Sequence, residues 1–215
     1  MSRREPDRPG TRARLLEAAV ATLRGKGIAG ASARAIAAEA GVNQALVFYH
    51  FGSVHELLTE ACVHGARERV AGYVAEFDAV RSLPELLELG RRLHARERAE
   101  GNVIVLAQML AGAQSEPSLA PATAAALGLW TDQVERVLSR VLGSSPLADV
   151  IDVSGLARAF SAAFVGFELY DGVDGEGADR AMAALARLGV LVEVFDDLGP
   201  AARGLVRAKL RRAVC

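Results

Sequence analysis

Twenty consecutive residues, Ser32 to Phe51 (SARAIAAEAGVNQALVFYHF), confine this chain to few folds. Ser32 can cap a helix, and Ala35, Ile36 and Ala40 follow at spacings that let them face one small core. Gly41 stands where that helix must stop and the chain turn sharply, a conformation that a residue without Cβ adopts cheaply. Val42 fills the corner. Asn43 can cap the next helix by accepting one of its orphaned backbone N–H groups. In that second helix Leu46 and Val47 are expected inside, leaving Gln44, Ala45, Phe48, Tyr49 and His50 on an outer face. Two short helices joined by a tight turn form a helix-turn-helix, whose second helix has the dimensions to enter the major groove of DNA. An ordinary helical hairpin shares this layout, so the flanks of the motif have to decide.

Upstream, Thr11–Gly27 reads as an amphipathic helix with Leu15, Leu16, Ala19, Val20 and Leu23 on one side, Thr11 as its cap and Gly25 and Gly27 as its end. Downstream, Phe51-Gly52-Ser53 is a break, and Ser53-x-x-Glu56 has the pattern of a capping box. The run from Thr11 to Ala61 contains Leu15-Leu16-Glu17-Ala18-Ala19, Gly27-Ile28-x-Gly30, Ile36-Ala37-x-x-Ala40-Gly41-Val42, Phe48-Tyr49-His50-Phe51 and Glu56-Leu57-Leu58. In this order and spacing it resembles the N-terminal domain of TetR-family transcriptional regulators. The resemblance spans about a quarter of the chain. It implies an all-α fold: an N-terminal three-helix helix-turn-helix DNA-binding domain joined to a C-terminal helical ligand-binding and dimerisation domain. The expected division is a flexible basic tail at 1–10, the DNA-binding domain at 11–58, and the effector-binding and dimerisation domain at 59–215.

Two positions depart from the family pattern. Family members usually carry a Lys after the Ser that opens the fourth helix, where it grips a phosphate. Val54 stands there, with His55 beside it as a weaker, pH-dependent substitute. Ala45 replaces the frequent Gly or Pro and offers a methyl to the C5-methyl of thymine. Arg34 is expected to contact guanine or a phosphate, because its fork matches guanine O6 and N7. Gln44 is placed to read adenine or another base edge. Tyr49 and His50 would position the DNA backbone, and Ser32 would bond a phosphate while capping. Asn43, Ala45 and Phe48 complete the expected DNA-facing set.

Net charge agrees once it is divided. The chain holds 25 basic and 26 acidic side chains, but residues 1–51 hold eight basic against four acidic, net +4. The remainder is net −5, so a basic head precedes an acidic body, as expected where only the head meets phosphates. Ser2–Arg14 reads either as a solvated tail or as an arm for the minor groove.

Hydrophobic residues make up 51% of the chain, yet Arg, Glu or Asp interrupts every apolar stretch before the roughly eighteen residues a membrane span needs. The N-terminus lacks the apolar segment of a secretory signal, and a cytoplasmic location is expected. Cys62 and Cys215 suit neither a disulfide framework nor a zinc site. There is no Gly-rich phosphate loop, no Gly-x-Ser-x-Gly and no His-Glu-x-x-His, so no enzyme activity, cofactor or metal is expected. His94 and Arg98, at i and i+4, read as part of a solvated helix face. The loop Asp171–Gly177 has carboxylates without the spacing of a calcium loop and reads as an interhelix connection.

Beyond the head the periodicity predicts helices over 53–78, 83–100, 102–115, 119–142, 152–171, 176–196 and 200–213. The first should run unbroken from head into body, a natural lever. Phe160, Phe164, Phe167 and Tyr170 recur along one helical face, and Met182, Leu185, Leu188, Gly189, Val192 and Phe195 follow on the next helix. By resemblance these two helices form a four-helix homodimer interface; a monomer core would give the same pattern. The nearly all-apolar run Asn102–Ala113 includes Val105, Gln108 and Met109, which with Phe77, Trp130 and Phe164 could line a pocket for a small, mostly apolar effector. Plain core packing explains that run as well. The whole reads as a homodimeric repressor released from a palindromic operator by a small-molecule effector. An activator, or an all-α small-molecule-binding protein retaining the head, are the alternatives.

Overall fold

The computed structural model describes residues 10–143, 151–196, Gly199 and Gly204, with 188–196 described by backbone alone. Among the described residues the elements are helical: α1 (Thr11–Gly30), α2 (Ala33–Ala40), α3 (Ala45–Phe51), α4 (Val54–Ala79), α5 (Leu83–Ala99), α6 (Asn102–Ser115), a short 3-10 turn (Pro117–Leu119), α7 (Ala120–Leu142), α8 (Val153–Asp171) and α9 (Gly175–Asp196). From α4 onward the bounds fall within a residue of the periodicity reading. The expected tail before Gly10, and the helix over 200–213 apart from Gly204, lie outside the described residues.

Packing divides the chain into two compact units. One is built on residues up to Arg69 together with Ile104–Ala126, the other on Val70–Val103 and the residues from Leu127 onward. The divide thus falls eleven residues beyond the expected 58/59 boundary, since α4 continues through that point without a break.

In the first unit local hydrogen bonds start and stop each short helix. The Ser32 hydroxyl accepts from the Ala35 N–H at 3.2 Å and opens α2. Gly41 closes it in the left-handed region (φ 63), and Val42 N–H returns to the Ala37 carbonyl at 2.9 Å. The Asn43 side chain accepts from Ala45 N–H at 2.8 Å, and the Ser53 hydroxyl from Glu56 N–H at 3.0 Å. Thr11 does not cap α1: the capping position is Gly10, without a side-chain bond. At Gly27 (φ 67, ψ −179) the backbone leaves the helical region, so the first helix breaks where expected and a further short turn carries α1 on to Gly30.

Leu15, Leu23, Ile36, Val47 and Leu57 are fully enclosed in this unit's core. Each contributes about 1.5–3 kcal/mol by leaving water. Val105, Met109 and Leu119 complete the same core, which is why the α6 region packs with the head. Gly112 on α6 leaves a notch for Ile28, where a Cβ would lie 2.5 Å from the Ile28 Cδ1. One turn earlier, Gln108 Oε1 accepts from the Ile28 N–H at 3.4 Å, beside the bend at Gly27.

The second unit is held by longer helices. Ser82 caps α5, accepting from Glu85 N–H at 3.3 Å, with Pro84 in the first turn. Leu89, Leu93, Val137, Leu138, Leu142 and Ala157 form its core, with Trp130 and Phe160 packed against it. α9 lies along both α5 and α8. The Arg140 guanidinium donates to the Phe77 and Val80 carbonyls at 2.8 and 3.0 Å, supplying partners that the C-terminal carbonyls of α4 lack.

Candidate nucleic-acid interface

The turn at Gly41 sets α2 and α3 so that their apolar sides share the head's core. Ile36, Ala37 and Val47 are buried, as is Phe51 at the end of α3. What remains outside is a polar and aromatic face. Ser32, Arg34, Asn43, Gln44 and Ala45 are exposed, Phe48 is 48% exposed and Tyr49 79%. His50 is half-buried, with its ring edge-on to Tyr49 at 5.0 Å. Two aromatic rings in water, side by side on a helix of seven residues, leave a surface that a partner can cover. Ser32 and Asn43 each have a side-chain oxygen committed to a cap. Arg34, on the first turn of α2, has no hydrogen bond or ion pair among the described residues, so its fork is available to a ligand.

Two other cations of the head, Arg12 and Arg14, are already engaged. Arg14 donates to the Ala40 and Gly41 carbonyls, and Arg12 pairs with Glu60 and lies over the Phe51 ring. The sequence-based substitute for a phosphate-gripping Lys fares no better: His55 Nδ1 sits 3.1 Å from Glu116 Oε1. Val54 packs against the head's apolar core. The basic excess of the head therefore overstates the charge free to meet phosphates.

A helix-turn-helix with its outer face open defines the class, a DNA-binding protein. Residues 15–61 match the sequence model of the bacterial regulatory proteins, tetR family. The N-terminal segment is thus a tetR-type DNA-binding domain, and DNA-binding regulation is the class it defines. No curated protein matches it. A transcriptional regulator from Streptomyces coelicolor A3(2) has a similar fold, with TM-score 0.67 and 24% identity over 84% of this chain and 99% of that one. The multidrug binding protein EbrR complexed with imidazole is 28% identical, with TM-score 0.61 over 83% of this chain and 96% of its own. EbrR complexed with proflavin is similar at TM-score 0.54 and 26% identity, over 82% and 99%.

The residues expected to line one effector pocket are divided between the two units. Val105 and Met109 lie in the head's core, and Gln108 reaches the backbone of α1. Phe77 belongs to the second unit's core, Trp130 packs against it, and Phe164 contacts Gly90 and the His94 ring. A separate open groove of 690 Å³ is lined by Asp132, Glu135, Arg136, Ser139 and Arg140, a charged rather than apolar lining.

The dimer set is also heterogeneous. Phe160 packs on the second unit's own core, whereas Phe167, Met182 and Leu185 are half-buried and Tyr170 is 51% exposed. The side chains at Gly189 and Val192 lie outside the described residues. Leu169, 40% exposed, and Val173, 87% exposed, are apolar surface that the periodicity reading did not single out.

His94 corrects the sequence reading outright. It is not solvated. Its Nδ1 lies 3.0 Å from Glu168 Oε1 and its Nε2 3.1 Å from Asp171 Oδ2, while Arg98 also pairs with Asp171. Burial pushes the Glu168 carboxyl above the usual glutamate range, with His94 opposing that shift. Nearby, the Tyr73 hydroxyl donates to buried Glu97 at 2.9 Å; burial first, and then Glu97, pushes the phenol up to about 12. The missed signal was Glu168 itself, an acid inside the run Phe164-Val165-Gly166-Phe167-Glu168-Leu169-Tyr170. The carboxylates of the Asp171–Gly177 loop serve the protein: Asp174 accepts from Tyr170 and from the Gly177 N–H. Burial raises the Cys62 thiol, which disfavours the reactive thiolate. Among the described residues there is no cluster that could hold a metal ion and no helix long and apolar enough to cross a membrane.

Proposed function

We propose that this regulator acts as a homodimeric repressor that reads a palindromic operator with the α2–α3 face and is released by a small-molecule effector. The observation that carries the DNA-reading part is the open face itself: Arg34, Gln44, Phe48 and Tyr49 exposed on a helix-turn-helix whose apolar residues are buried. Arg34 contacts guanine or phosphate, Gln44 a base edge, and Ala45 a thymine methyl. Tyr49, His50 and Phe48 bear on the DNA backbone, with Ser32 and Asn43 at the helix starts. One helix of this length reads few bases, and a twofold pair reads a palindrome.

Pairing through α8 and α9 would cover Leu169, Tyr170 and Val173, together with Phe167, Met182 and Leu185. The effector reading draws support from EbrR, a multidrug binding protein of the same fold. α4 runs without interruption from Val54 beside the recognition helix to Ala79 in the second unit. A ligand favouring one pose of that helix would change operator affinity by about 1–3 kcal/mol, the usual scale of such coupling.

Arg34→Ala should weaken binding to the cognate palindrome by about 1–3 kcal/mol in an anisotropy titration. Unchanged affinity would remove Arg34 from the interface. Leu169→Glu should turn the dimer into monomers by light scattering, and a dimer that persists refutes the α8 interface.

A further inference from the structure

We infer that Arg12 and Arg14 are positioning residues for DNA reading, a clamp in the first turn of α1 that holds both ends of α3, the recognition helix. The two are separated by one residue and act at opposite ends of the recognition helix. Arg14 is half-buried and donates through Nη2 to the carbonyls of Ala40 and Gly41, at 3.3 Å for the latter. Those carbonyls terminate α2 and form the turn into α3. A guanidinium there satisfies orphaned acceptors and complements the negative end of the helix. Gly41 is fitted to this contact: a Cβ on it would lie 3.2 Å from Arg14 Nη2. Arg12 takes the far end. Its guanidinium lies 5.2 Å from the centroid of Phe51, the last residue of α3, and pairs with Glu60 on the following helix.

A three-helix head with a seven-residue recognition helix has few backbone bonds with which to fix that helix's pitch. Here the pitch is set from outside, at residues 40–41 and at residue 51, by one turn of α1. The two cations thus contribute to affinity through the placement of Gln44 and its neighbours, not by neutralising phosphates. The inference rests on the reading that the α2–α3 face contacts operator DNA.

The test uses the full chain and two duplexes of equal length: a palindrome selected by the wild-type protein from a randomised library, and a scrambled sequence. Anisotropy titrations over a salt series give affinity and salt slope for each. Arg14→Ala should lower affinity for the palindrome by about tenfold, the scale of one lost base contact. Affinity for the scrambled duplex and the salt slope should stay as they are. If both duplexes lose affinity together and the slope falls by about one unit, Arg14 is a phosphate ligand and the clamp is overturned. Arg14→Lys covers the case in which the Ala variant fails to fold. It keeps the charge but replaces the fork by a single ammonium, so the clamp predicts a several-fold loss for the palindrome alone, and wild-type affinity overturns it. Arg12→Ala should likewise lower affinity for the palindrome alone. Failure of the DNA-reading premise shows separately, as a wild-type protein that selects no palindrome.

Discussion

The two units use their polar side chains in different ways. In the head they serve mostly the backbone: Ser32, Asn43 and Ser53 cap helices, Arg14 holds the turn, and Gln108 accepts from Ile28. In the second unit several are turned on one another. His94 lies between Glu168 and Asp171, Tyr73 donates to Glu97, and Arg96 pairs with Glu76. Backbone caps act over two or three residues and fix where a short helix begins. Side-chain pairs between helices act over gaps such as the 77 residues from His94 to Asp171, and fix which helix faces which. The starts of the head's short helices are therefore specified locally, whereas the second unit leans more on agreement between distant segments.

Removing one long-range centre should cost most. His94→Ala takes the facing group from two carboxylates, one of them buried, and should destabilise the chain by about 2–3 kcal/mol in urea unfolding. That is less than the 3–5 typical of fully buried pairs, because His94 retains some access to water. A cost below about 1 kcal/mol would erase the contrast between the units. Asn43→Ala removes one local cap and should cost about 1 kcal/mol, mainly in the head.

The smallest effect is read through pH. Glu168 has a raised pKa in the fold, first through burial, so its contribution is fully present below the ordinary glutamate pKa and is lost as pH rises through the raised value. Glu168→Gln cannot ionise. Its melting temperature relative to wild type should therefore rise with pH across that window. A difference that stays flat would mean that Glu168 is not the group carrying the dependence.

The same contrast explains what the sequence disclosed. Ser32, Gly41, Asn43 and Ser53 act on residues at most five positions away, so their roles could be read in order along the chain. Helix bounds followed from periodicity and breaks for the same reason. His94 was misplaced because its partner Glu168 lies 74 positions off, and the contact of Gln108 with Ile28, 80 positions away, was hidden for the same reason: no local pattern points to either. Burial of Val105, Met109 and Leu119 in the head was hidden similarly: an apolar helix announces that it is buried, not against what.

The notch at Gly112 has a mechanical consequence. Ile28 enters α6 at the one point without a side chain, between Ala111 and Ala113, and also nears Leu119. Close-packed surfaces do not deform smoothly, so α6 cannot creep along α1 by small amounts without driving the isoleucine methyl into a neighbour. The contact works as a detent: it resists small slips between the two helices and so pins the register in which the head's inner surface is assembled.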